Sequence, residues 1–318
     1  MKKALILGIN GQDGSYLSEI LLEKGYEVHG LIRRTSTGNL ENVQDILQEI
    51  ELHYGDLSDP ISLYHIIRTI KPVEIYNEAD QDHAGISFQI PAYNFDITGS
   101  AVGRILEIIK QIDSGIRFFQ PVTSNMFGKT TISPQNENTP FNPQNPYACA
   151  KTFAYNLSKM YRDVYSMYVS IGIFYNHESP RRTDEYVTRK ITKAAARIKL
   201  GKQNEIILGN INAIIDWGFA RDYMEAAWEI MQLNKPDTFV IGSGEAHSVK
   251  DFLELAFNEV KLDYKEFLKT DEKFMRPAEN SILLADSSKA KKVFNFQPKT
   301  NLKKLVKMMV NHDLEIEQ

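Results

Sequence analysis

The sequence predicts an α/β protein built on a doubly wound parallel sheet, with a smaller C-terminal lobe. Two observations carry that prediction. Short apolar runs alternate with helical segments through the first half of the chain, the pattern of strands buried on both faces. A glycine-rich turn joins the first of those strands to the first helix. Beyond about Ile171 the alternation loosens into short strands, helices and loops rich in Arg, Asn, Pro and Asp. Residues 1–170 are therefore expected to form the sheet domain. Residues 171–318 are expected to form mainly the second lobe, with some segments returning to the sheet.

Each element has a local reason. Lys3 to Leu7 is a strand-sized apolar run. After the glycine turn, Tyr16, Leu17, Ile20, Leu21 and Leu22 recur at helical spacing until Gly25. Glu27 to Ile32 reads as a second strand, and Leu52 to Asp56 as the end of a third. Ser58-Asp59-Pro60 opens a helix through Ile70, with proline at an early helical position. Val73 to Tyr76 and Ile116 to Val122 read as strands, and Ala101 to Ile112 and Tyr147 to Tyr161 as helices. Glu205 to Leu208 and Phe239 to Gly242 are short strands of the second half, and the acidic tail after Met309 reads as frayed helix.

Composition narrows the function classes. The chain has 318 residues, 42% hydrophobic and 25% charged, with a net charge of -4. Disordered and collagenous readings are excluded, and a nucleic-acid partner has no support. No apolar stretch approaches the ~18 residues that span a bilayer. The apolar start meets Gly8, Asn10, Gly11, Gln12 and Asp13 too soon for a signal peptide. Cys149 is the only cysteine, so no disulfide and no metal site are expected. A soluble, cytoplasmic protein is expected.

Gly8-Ile9-Asn10-Gly11-Gln12-Asp13-Gly14 is G-x-x-G-x-x-G between strand and helix. Glycines there let the backbone turn sharply and approach a pyrophosphate, which the helix N-terminus attracts. In that context the motif is the Rossmann dinucleotide fingerprint; three glycines alone would be only a tight turn. A NAD site would place an acidic residue after the second strand, where this chain has Arg33-Arg34-Thr35-Ser36. Two guanidiniums and two hydroxyls suit a 2′-phosphate, so NADP is favoured over NAD. A solvated basic loop is the competing reading.

Tyr147 and Lys151 stand four residues apart on one helical face. A free phenol titrates near ~10, so it needs a neighbouring ammonium to act as a base near neutrality. Alone, such a pair is usually a surface feature. After a nucleotide-binding half, and preceded by Thr123-Ser124, it reads as catalytic. Cys149 points off that face and is expected to be packed.

The combination resembles the extended short-chain dehydrogenase/reductase family, and within it the GDP-mannose 4,6-dehydratases. The similar segments run nearly end to end: GINGQDGSYLSEILLEKGYEVHGLIRRTST, YGDLSD, TPFNPQNPYACAK, FYNHESPRR, YVTRKIT, DWGFARDY and FMRPAE. The resemblance implies bound NADP, a nucleotide sugar (a GDP-linked hexose favoured) between the lobes, and a homodimer or homotetramer. It implies cofactor contacts at Gly8, Gly11, Gln12, Asp13, Gly14, Arg33, Arg34, Ser36, Asp56, Leu57, Tyr147 and Lys151. Thr123 would hold the sugar 4-OH while Tyr147 takes its proton and Lys151 steadies both Tyr147 and the nicotinamide ribose. Asn176 would meet the diphosphate, and Lys190, Arg276 and Glu279 the nucleotide end. His177 reads as structural.

Three departures matter. The family's glutamate, two positions after the threonine, is Asn125 here, and an amide cannot exchange protons near neutral pH. Glu78, Asp80 and Asp82 stand where the family has small, neutral residues, and would repel cofactor phosphates unless turned away or protonated. Ile215 replaces an arginine before Asp216-Trp217. Asp80 or Asp82 could supply the missing acid/base group. Otherwise the chain would be a 4-epimerase, 4-keto reductase or 4-dehydrogenase without water loss, or an inactive NADP-binding protein.

Overall fold

The computed structural model describes residues 1–36, 38–271 and 282–318. The chain begins with β1 (Lys3–Leu7), α1 (Gln12–Glu23), β2 (Glu27–Ile32), β3 (Ile50–Tyr54), α2 (Pro60–Ile70) and β4 (Glu74–Asn77). A short helix α3 (Pro91–Asn94) runs through a π-helical stretch, Phe95–Ser100, into α4 (Ala101–Ile112). There follow β5 (Arg117–Thr123), α5 (Pro146–Tyr165), β6 (Val169–Phe174) and β7 (Asn176–Glu178). The rest comprises α6 (Val187–Lys199), β8 (Ile206–Leu208), β9 (Ile214–Phe219), α7 (Ala220–Gln232), β10 (Thr238–Ile241), β11 (Ala246–Ser248), α8 (Val249–Glu259), β12 (Leu268–Thr270), α9 (Ser288–Phe294) and α10 (Leu302–Glu317).

Seven parallel strands form the main sheet in the order β10-β6-β5-β4-β1-β2-β3. Alternate residues of β1 feed two cores. Ala4 and Ile6 pack with α1 and α7, whereas Leu5 and Leu7 pack with α2, α4 and α5. Both faces are covered, which is why β1 reads as a continuous apolar run. Strand order reverses between β1 and β4, so the switch-point crevice opens outside their C-terminal ends. β9 bridges β7 and β11, and β8 pairs with β12, in two small sheets contributed by the C-terminal half.

Helix ends follow local chemistry. The Asp59 side chain caps α2 by accepting from the Ile61 N–H at 3.0 Å, and Asn145 caps α5 through Ala148 at 2.8 Å. Two expectations are corrected. The tail after Met309 is not frayed: α10 continues to Glu317 because Val310 is buried and Asp313 forms a buried ion pair with Arg189 of α6. Cys149 is exposed rather than packed, since the buried face of α5 carries Tyr147, Ala150, Lys151 and Ala154. Among the described residues, no helix is long and apolar enough to cross a membrane.

Candidate active site

A cleft of about 620 Å³ opens at the switch point. Of the residues expected at the site, Gly11, Gln12, Asp13, Asp82, Thr123, Asn125, Tyr147, Lys151, Asn176 and Lys190 line it. Arg276 and Glu279 lie outside the described residues.

The glycine turn is shaped as a cradle. Gly8 has φ +81°, a left-handed conformation, and a Cβ on Gly14 would come within 2.3 Å of the Gly8 carbonyl oxygen. That contact seats α1 against the turn. Gly11 is the N-cap of α1 but offers no capping side chain, so the first-turn N–H groups of Gln12, Asp13 and Gly14 receive no cap from it. Such a helix start fits a diphosphate. Arg33, Arg34 and Ser36 follow β2 on the exposed surface, and Arg33 Nη1 donates to the Tyr93 hydroxyl at 2.6 Å. Asp56 Oδ1 accepts from the Ser58 N–H at 2.8 Å and from its hydroxyl at 2.7 Å, while the buried Leu57 accepts from Arg104 Nε at 3.0 Å. Those contacts form the turn into α2.

Thr123 ends β5 and Tyr147 lies in the first turn of α5, and both line the cleft. Thr123 Oγ1 also accepts from Asn125 Nδ2 at 3.1 Å and from the Asn125 N–H at 3.2 Å. Burial pushes the Tyr147 phenol well above its ordinary value, and Asp80 and Asp82 push it further. Lys151 does not simply steady Tyr147. Its ammonium pairs with Asp80 Oδ2 at 2.5 Å and donates to the Pro121 carbonyl at 2.9 Å.

The acids in and around the cleft have distinct partners. Asp13 Oδ2 meets His177 Nε2 at 2.8 Å, and His177 Nδ1 donates to the Tyr175 carbonyl at 2.8 Å. Burial alone would raise Asp13 and lower His177; their attraction reverses both, holding Asp13 below and His177 above its ordinary value. Asp82 pairs with Arg182 at 3.3 Å, whose guanidinium stacks 3.4 Å from the centre of the Tyr186 ring. Burial drives Glu78 well above its ordinary value, with the Asp13 carboxylate adding to the shift. Gln81 anchors this segment: its carbonyl accepts from Asn94 Nδ2 at 2.8 Å and its N–H donates to Thr98 Oγ1 at 3.1 Å. The pairing of Asp80 with Lys151 and of Asp82 with Arg182 mutes the expected repulsion of phosphates.

The sequence model of a family described as GDP-mannose 4,6 dehydratase matches residues 5–309. The chain belongs to that family. It is 48% identical to GDP-mannose 4,6 dehydratase 1 of Arabidopsis thaliana over 327 residues, covering 99% of this chain and 90% of that protein. A solved UDP-glucose 4-epimerase of Thermotoga maritima superposes with a TM-score of 0.88 at 21% identity, covering 99% of this chain and 100% of the other. A dTDP-glucose 4,6-dehydratase of Bacillus anthracis, solved with NAD, gives 0.87 at 20% identity, covering 100% and 98%. Both structures share the fold.

The positions expected from the resemblance to depart from the family's pattern lie together in the cleft. Asn125, Glu78, Asp80, Asp82 and Ile215 all line it. Asp216, next to Ile215, is a buried loop anchor: it accepts from the Ser243 N–H at 2.8 Å, the Gly244 N–H at 2.9 Å and the Ala285 N–H at 3.1 Å. Sequence reasoning did not single out Arg181 or Arg182, both of which line the cleft, although NHESPRR contains them. Arg181 donates to Ser15 across 166 residues and Arg182 to Asp82 across 100, and no local pattern signals such pairs.

Proposed function

We propose that this chain is an NADP-dependent GDP-mannose 4,6-dehydratase-type enzyme acting on a nucleotide-linked hexose. The observation that carries the reading is the gathering of Thr123, Tyr147 and Lys151 in the same cleft as the Gly11-Gln12-Asp13 turn. The first-turn N–H groups of α1 hold the cofactor diphosphate, and Arg33, Arg34 and Ser36 hold its 2′-phosphate. When bound, NADP supplies the redox chemistry at the sugar C4 carbon. Thr123 orients the 4-OH and Tyr147 takes its proton. Asn176 and Lys190 bind the nucleotide side of the substrate, together with Arg276 and Glu279.

Water loss needs a group that removes the C5 proton and hands a proton to the departing C6 hydroxyl so that it leaves as water, and we assign both roles to Asp82. It lines the cleft, is half-exposed, and has Arg182 beside it. A second reading, 4-epimerase or 4-keto reductase, is favoured by Asn125, whose amide is bonded to Thr123 where the family has a glutamate. Incubation with GDP-, CDP-, UDP- and dTDP-linked hexoses, followed by mass spectrometry, separates the two. A product lighter by one water supports dehydration; unchanged mass or a change of two hydrogens supports the second reading.

Assembly into a homodimer or homotetramer in the cytoplasm is part of the proposal. Phe153, Met160 and Val164 are exposed at helical spacing along α5, a face suited to a second copy. Light scattering tests it.

A further inference from the structure

We propose that the β2–β3 edge of the sheet carries a binding site for a divalent transition-metal ion of the zinc class, held by His29, Glu51 and His53. His29 pairs in register with Glu51, and His53 follows two residues later on the same face of β3. His29 Nδ1 lies 3.1 Å from His53 Nε2. Glu51 Oε2 is 3.4 Å from His29 Nδ1, and Glu51 Oε1 is 3.8 Å from His53 Nε2. Donors bound tetrahedrally at about 2.0–2.1 Å stand roughly 3.3 Å from one another. The two imidazole nitrogens already have that spacing, and with one Glu51 oxygen the three ligand atoms lie within 4.8 Å of one another, so the exposed Glu51 side chain has only to swing inward.

A second observation selects the ligand atom. Glu27 Oε1 lies 3.0 Å from His29 Nε2 and is itself held by Lys3 Nζ at 2.9 Å. A carboxylate there accepts a hydrogen bond from Nε2–H, the tautomer that leaves the lone pair on Nδ1, facing His53 and Glu51. This is the outer-shell arrangement that orients metal-binding histidines. Without an ion, a single shared proton must bridge the two imidazoles; an ion replaces that proton and recruits Glu51. Two imidazoles and one carboxylate suit Zn²⁺, Ni²⁺ or Cu²⁺ and not Mg²⁺ or Ca²⁺. Among the described residues, this is the only such group of three potential ligands.

None of the three residues lines the cleft. The site therefore acts on the fold. β3 is an edge strand, and an ion spanning His29 of β2 and the two ligands of β3 cross-links that edge to the sheet.

The test uses the tag-free full chain, stripped with chelator and titrated with zinc chloride by calorimetry. Cobalt absorption reports the geometry. We expect one equivalent bound, a tetrahedral cobalt spectrum, a higher melting temperature with zinc, and no binding of magnesium. His53→Gln and Glu51→Gln, both at the strand edge, should each weaken zinc binding at least ~10-fold, and Glu27→Gln by a similar factor through the outer shell. Circular dichroism confirms that these variants fold. Absence of zinc binding into the submillimolar range overturns the proposal. So does binding that is unchanged in His53→Gln and Glu51→Gln, which would place the ion elsewhere.

Discussion

Asp80 Oδ2 lies 2.5 Å from Lys151 Nζ, placing a carboxylate on the ammonium expected to support the Tyr147 phenolate. Lys151 is 5.8 Å from the centre of the Tyr147 ring, and Asp80 raises the Tyr147 phenol beyond what burial does. Asp80 thus works against Tyr147 as a base. In Asp80→Asn the ammonium keeps its bond to Pro121 and loses its neutralising partner. The acidic limb of the kcat/KM profile should move to lower pH, because a phenol with a lower pKa reaches its basic form sooner. A profile that does not move, or moves to higher pH, removes this role.

Tyr147→Phe should keep the fold and cofactor affinity while lowering turnover by at least ~10²-fold, the scale of a lost general base. Steady-state kinetics with a fluorescence titration of NADPH measures both. Undiminished turnover would take Tyr147 out of the reaction.

Arg33→Asp combined with Arg34→Ala should weaken NADP binding by about an order of magnitude or more, since charge-assisted contacts are worth ~1.5–3 kcal/mol each. NAD binding should hold or improve. Equal losses for both dinucleotides would show that this loop does not read the 2′-phosphate.

If the enzyme dehydrates, Asp82→Asn should abolish water loss while reduction of the bound cofactor persists, visible as trapped NADPH absorbance. Asn125→Glu should raise the elimination rate by restoring a carboxylate beside Thr123. Wild type that releases no water from any nucleotide sugar, with Asn125→Glu gaining the reaction, decides for the epimerase or reductase reading.

The Asp13–His177 pair should make stability depend on pH with a defined sign. His177 is raised above 6.5, so its contribution is complete below that value and is lost as pH rises through its folded value. Asp13 is lowered below 3.8, so its contribution is complete above that value and is lost as pH falls through its folded value. The stability gap between wild type and His177→Gln should be widest between these limits, about 1.5–3 kcal/mol for a charged hydrogen bond. Urea unfolding at pH 5.5 and at pH 9 measures it. A gap that grows toward pH 9 contradicts the pairing.

The sequence by itself determined the local elements and the reactive side chains. Glu27–Ile32 and Pro60–Ile70 fall where periodicity and the Asp59-Pro60 start placed them, because strands and helices answer to neighbours two to four residues away. The strand–glycine–helix cradle and the Tyr147–Lys151 spacing were legible for the same reason. Only the tertiary structure decided what the charges do. Asp13 meets His177 across 164 residues, Asp82 meets Arg182 across 100, and Asp313 anchors the final helix on Arg189 across 124. Their states depend on burial and on which distant chain segment closes over them. A carboxylate that looked like a stray repulsion beside a phosphate, such as Glu78, has its pKa driven upward because packing removed its water.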